Sequence, residues 1–133
     1  YLKVSNRIFT PPHSLGKWGK SDNSTTMTIQ LKGERESGRV WLFEKEIFPD
    51  ESQKIRNHSP DGFAWGYNGS GPAQLALALC LELFGKEYAQ QIYQDFKFWY
   101  IGSLPQGDFE LDIQIQPELF NKYPFLKSNP RSA

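Results

Sequence analysis

The spacing of apolar positions changes several times along the chain, and each change marks an element. Residues 1–10 alternate loosely (Tyr1, Val4, Ile8, Phe9), which predicts one or two short strands. Residues 10–20 hold Pro11, Pro12, Gly16 and Gly19 and read as loop. Residues 25–31 place Met27, Ile29 and Leu31 on one side of a β-branched run, the mark of a half-buried strand. A polar turn over 32–38 and a second strand over 39–43 complete an antiparallel pair. Residues 44–56 are charged without a period and predict an exposed connection.

Residues 57–71 break this rhythm. Pro60, Gly62, Gly66, Gly69 and Gly71 punctuate the stretch, and Phe63, Trp65 and Tyr67 alternate between them. Flexible linkers lack rings, so this is an ordered loop. It feeds a helix over 72–84, opened by Pro72 and stopped by Gly85. Leu75, Leu77, Leu79, Leu81 and Leu83 alternate as a strand would. Ala73, Ala76 and Ala78, the length and the end signals decide for helix. Apolar on all sides, such a helix belongs in the middle of a domain. Its five leucines, at about 1.5–3 kcal/mol each, give roughly 7–15 kcal/mol of gross burial.

A second helix over 86–101 carries Tyr88, Ile92, Phe96 and Trp99 at 3–4 spacing. The short link at Gly85 predicts an antiparallel helical hairpin. After a turn at 104–108, Phe109, Leu111, Ile113 and Ile115 alternate with Glu110, Asp112 and Gln114 as a half-buried strand within 108–116. Residues 117–122 suit a short helix, and 128–133 a loose tail. Together these elements predict an α+β fold. A small antiparallel sheet packs against a two-helix hairpin with a central, buried first helix. One domain spans 1–127: a strand-rich part to 56, the loop over 57–71, the hairpin over 72–101, then the strand.

Composition narrows the function classes. With 133 residues the chain is one ordinary domain. Fifteen basic and fifteen acidic residues cancel, which removes the usual electrostatic case for nucleic acid. The halves differ slightly, with 10 basic and 7 acidic residues in 1–60. That leaves a local patch of Lys17, Lys20, Lys32, Arg35 and Arg39 as the one nucleic-acid reading, and a disfavoured one. The single cysteine, Cys80, allows no intrachain disulfide and suits a cytoplasmic protein without a secretory signal. No apolar run approaches the roughly 20 residues needed to cross a bilayer.

Candidate chemistry concentrates in the loop and the helix start. Gly69, Ser70 and Gly71 at a helix N-terminus can hold an anion, because the glycines admit a close ligand and the first amides point outward. The preferred alternative is that Ser70 caps the helix. The lysine of a P-loop is missing. His58 titrates near neutral pH, but a Ser, His and Asp within four residues (58–61) is weak evidence for a triad, which depends on geometry. Trp65 and Tyr67 are a stacking platform if exposed and core if buried. His13, His58 and Cys80 lack zinc spacing, and Asp108, Glu110 and Asp112 read as a solvated strand face. No metal and no cofactor is expected. The ligand-binding candidates are His58, Trp65, Tyr67, Ser70, Gly71 and Gln74.

The stretch from His58 to Ala76, HSPDGFAWGYNGSGPAQLA, resembles a family of small uncharacterised bacterial and phage proteins. Their shared core reads H-S-P-x-G-F-x-W-G-Y-x-G-S-G-P-A-Q-L-A. The resemblance continues loosely to Leu104 and Pro105, and residues 10–50 look longer than is usual in the family. The family is a domain of unknown function, so it supplies no catalytic residues. Its occurrence in mobile elements implies an accessory role. The leading expectation is a non-enzymatic binding or accessory protein acting on a host protein or a small anionic ligand. The alternative is a small enzyme or binder for a nucleotide-like or phosphorylated ligand at residues 69–72, with His58 moving the proton. The oligomeric state is not set by these residues.

Overall fold

The computed structural model describes residues 2–4, 17–21, 24–115 and 117–124. Six strands form one antiparallel sheet: β1 (Leu2–Val4), β2 (Lys17–Ser21), β3 (Ser24–Glu34), β4 (Arg39–Leu42), β5 (Lys45–Ile47) and β6 (Phe109–Ile115). The order is β1-β6-β3-β4-β5. Long β3 is the hub. It pairs with β6 along one edge, while β2 and β4 divide the other.

The register follows from side-chain alternation. Met27, Ile29 and Leu31 stand opposite Ile115, Ile113 and Leu111. All six are buried on the core face. Val40, Leu42 and Ile47 extend that face across β4 and β5. Lys32, Trp41, Glu46 and Glu110 fall on the opposite face.

Four helices and a π-turn supply the other layer. They are α1 (Asp50–Ile55), α2 (Ser70–Phe84), α3 (Lys86–Phe96), a π-helical continuation over Lys97–Ile101, and α4 (Pro117–Lys122). The α+β class, the sheet and the helical hairpin are those expected. The core is one cluster containing the sheet face, α2 and the inner sides of α3 and the π-turn. Gly71 through Cys80 of α2 are buried without a break, as are Leu83 and Phe84. Burial pushes the Cys80 thiol well above its ordinary pKa and leaves it inert.

Gly85 alone joins the two helices. Its φ of +91° is a region that residues with a Cβ avoid. Its N–H donates to Leu81 O at 3.1 Å and its carbonyl accepts from Ala89 N at 2.9 Å. One residue therefore closes α2 and opens α3. At the far end, Tyr123 Oη donates to Asp95 at 2.6 Å and Lys122 pairs with the same carboxylate at 2.8 Å. This ties the end of α4 to α3.

Several elements depart from expectation. Strand β2 runs through part of the stretch expected as loop; residues 10–16 and the tail at 128–133 lie outside the described residues. Strand β3 extends to Glu34, so the turn shrinks to 35–38. The expected exposed connection at 44–56 instead contains β5 and α1. Helix α1 shows no apolar period because Ser52 is its one buried residue. Asp50 and Glu51 in its first turn and Lys54 in its last suit the helix dipole. Helix α2 starts at Ser70, two residues before Pro72. Among the described residues no helix is long and apolar enough to cross a membrane.

Candidate functional site

Gln74 organises the loop. It points from the buried second turn of α2 and is fully enclosed. Its Oε1 accepts from the backbone N–H groups of His58 at 2.7 Å and Ser59 at 2.9 Å. Its Nε2 donates to Ser52 Oγ at 2.8 Å and Arg56 O at 3.1 Å. Ser52 Oγ passes its own proton to Pro49 O at 2.8 Å. Donors surround one end of the amide and acceptors the other, which fixes its orientation. Gln53 adds a bond from Nε2 to Ser59 O at 2.8 Å. The polar atoms of Gln74 are thus spent on tying α1 and the start of the loop to α2. They leave nothing for a ligand.

His58 sits beside this knot. Its Nε2 lies 2.7 Å from Tyr93 Oη, and the two rings are tilted at 50°. Burial, then the positive charges of Arg56 and Lys97, lower its pKa. The imidazole is therefore neutral at neutral pH, and its hydrogen bond ties the loop to α3.

Trp65 is buried at 1% exposure. Its Nε1 donates to Gly107 O at 3.0 Å and its ring meets Phe109 edge-on. Both the polar tip and the apolar body are committed to packing, so this ring offers no stacking face. Tyr67 is about half exposed and lies over Gly69. Gly71 is buried, and a Cβ there would come within 2.6 Å of Ala64 Cβ. The close approach its glycine permits is that of the loop, not of a ligand. Ser70 is exposed and does not cap the helix: Gly69 is the N-cap residue, and no side chain caps this end. The preference for Ser70 as a cap is therefore corrected, because the helix begins one residue earlier and Ser70 occupies its first helical position, not the N-cap position.

The surface offers something the sequence reading missed. Ile47 points into the core, and strand alternation then turns Phe48 outward, where it is 60% exposed. Pro49 follows Phe48 beyond the end of β5 and is the N-cap residue of α1. Phe48 lines two clefts. One, of about 440 Å³, lies between β5, α1 and α2 and includes Ile47, Asp50, Glu51, Leu81 and Glu82. The other, of about 370 Å³, includes Arg39, Pro49, Asp61 and Phe63. None of His58, Trp65, Tyr67, Ser70, Gly71 and Gln74 lines either cleft. The only signal in the sequence was an apolar pair, Ile47 and Phe48, inside a charged stretch.

Of the basic residues expected to form a nucleic-acid patch, Lys32, Arg35 and Arg39 are engaged locally. Lys32 and Arg39 stack on Trp41 at 5.1 and 4.9 Å from its ring centre. Arg39 also forms a two-pronged pair with Glu46, both contacts at 2.9 Å. Arg35 donates to Gln106 O at 2.7 Å, and its backbone N–H donates to Asp108 at 2.7 Å. Lys17 and Lys20 lie on β2, opposite Thr28 and Thr25. Among the described residues no three His, Cys, Asp or Glu side chains converge as a metal site would require.

No curated protein and no solved structure matches this chain. One family model does, over residues 31–118. The match begins inside β3, so residues 31–50, expected to be an elaboration, belong in large part to the shared domain. It takes in the Gln74 knot and the Phe48 surface alike. With most of its length inside that match, the chain belongs to DUF6166, a family of unknown function.

Proposed function

We propose that this protein is a non-enzymatic binding module whose partner is a protein segment docking around Phe48. The observation that carries the reading is a large apolar side chain, 60% exposed, standing between two clefts with apolar walls. A large ring set between two clefts is the kind of side chain that anchors an interface, where a single exposed apolar residue without clefts would be unremarkable. Among the described residues two other large apolar side chains are exposed, Tyr67 and Phe98. Neither lines these clefts, which favours Phe48. The commitments of Gln74, Trp65 and Gly71 weigh in the same direction. They take Gln74, Trp65 and Gly71 out of the set that a phosphorylated or nucleotide-like ligand could use, and His58 is directed at Tyr93. An accessory protein of a phage or other mobile element acting on a host protein fits this reading.

The test is selection of peptides from a displayed random library on the wild-type protein, followed by binding to variants. Selected peptides are expected to lose about tenfold or more in affinity to Phe48→Ser and to bind His58→Gln and Ser70→Ala unchanged. Peptides indifferent to Phe48, or dependent on His58 or Ser70, would overturn the proposal.

A further inference from the structure

We infer that the segment bound around Phe48 is extended and basic, laid along the outer edge of β5 with cationic side chains on both sides of the phenylalanine. The inference rests on the binding reading above and deepens it.

Two independent observations carry it. The first is the edge. Strand β5 ends the sheet and pairs with β4 alone among the described residues. Its other edge faces the cleft bordered by α1 and α2. An open strand edge beside an apolar groove is the arrangement to which a peptide adds as a further strand, its backbone giving affinity and alternate side chains entering pockets.

The second is charge. Glu46, Asp50, Glu51, Asp61 and Glu82 line the two clefts, against Arg39 and Lys45. Three of the acids are answered: Glu46 by Arg39, Glu82 by Lys45 and Glu51 by Lys54. Among the described residues Asp50 and Asp61 have no cationic partner. One lines each cleft that Phe48 lines, so carboxylates without a cationic side-chain partner stand in both, Asp50 with only the start of α1 to offset it. A partner with lysine or arginine at these points gains complementarity, and an acidic one is repelled.

Two synthetic peptides of about ten residues provide the probe, one alternating lysine with valine and one alternating glutamate with valine. At about 3.3 Å per residue each is long enough to follow β5 past Phe48. Binding is measured by fluorescence anisotropy, and backbone protection by hydrogen exchange. The lysine peptide is expected to bind the full chain and the glutamate peptide not to. Asp50→Asn and Asp61→Asn should each weaken the lysine peptide about threefold and reduce its salt dependence. Those amides of β5 that point away from β4 should exchange more slowly in the complex. Equal binding of both peptides, each lost in Phe48→Ser, would overturn the charge argument while leaving the binding reading intact. Binding without slowed exchange in β5 would overturn the strand pairing. Binding of neither peptide would overturn this inference, while the reading beneath it falls only if library-selected peptides bind Phe48→Ser as well as the wild-type protein. Circular dichroism of each variant establishes that it is folded, as expected for exposed positions.

Discussion

Replacing Gln74 by leucine keeps the side-chain volume and removes the whole polar knot. Four hydrogen bonds disappear, to His58 N, Ser59 N, Ser52 Oγ and Arg56 O. At about 0.5–1.5 kcal/mol net for each neutral bond, the gross loss is roughly 2–6 kcal/mol. Water can reach the half-buried loop amides, and leucine gains some apolar burial, so the expected net is about 3 kcal/mol. For a domain of this size that lowers the melting temperature by about 10 °C. Urea unfolding followed by far-UV circular dichroism measures it, with the slope against denaturant expected to stay constant. Gln74→Glu sharpens the test. One carboxylate oxygen still accepts from the two amides, but the other faces Arg56 O, which has no proton to give. That variant should regain part of its stability at acid pH relative to wild type, where a protonated glutamate again has a donor. A loss below about 1 kcal/mol in the leucine variant would refute the view that this residue holds the loop.

Three further outcomes follow from the same geometry. Gly71→Ala should destabilise by about 1–3 kcal/mol through its collision with Ala64, and Ala64→Gly should recover much of that in urea unfolding of the double variant. Of Trp41, Trp65 and Trp99, Trp65 should be the most shielded from acrylamide, and Trp65→Phe should reduce the quench-resistant part of the emission while costing about 1–3 kcal/mol. The folded-state pKa of His58 lies below its unfolded value, so the unfolded chain takes up the proton first. Its contribution to stability is complete above the unfolded pKa, about 6.5, and is lost as pH falls through the folded one; in His58→Gln that portion of the pH dependence should vanish.

The sequence announced elements whose signal is local. The ends of α2 were marked by Pro72 and Gly85, and β6 by strict alternation from Phe109 to Ile115. The hairpin link at Gly85 was equally plain, and residues 117–122 suited the short helix α4. What escaped notice depends on distant partners. Helix α1 buries only Ser52, and does so because Gln74 reaches it from 22 positions away; no period in 50–55 records that. Strand β2 was masked by Gly19 and the neighbouring prolines, although its pairing with β3 needs only backbone groups. The π-turn over Lys97–Ile101 keeps the apolar spacing of an α-helix, so side-chain pattern does not separate the two. The candidate block was recognised as a unit, yet its parts were read for what they could bind. Their actual neighbours, Ala64 for Gly71 and Gly107 for Trp65, are fixed by tertiary packing. Phe48 was overlooked because a single exposed ring leaves no periodicity.

On the proposed division of labour, the loop and α2 block serves as scaffold and the Phe48 surface as the binding face. The most direct test is a map of backbone amide chemical shifts as a library-selected peptide is titrated into the protein. The account predicts perturbations concentrated in β5, Phe48, the start of α1 and residues 61–63, with Ser70, Gly71 and Gln74 nearly still. Perturbations centred on His58 and the start of α2, with Phe48 unmoved, would contradict it.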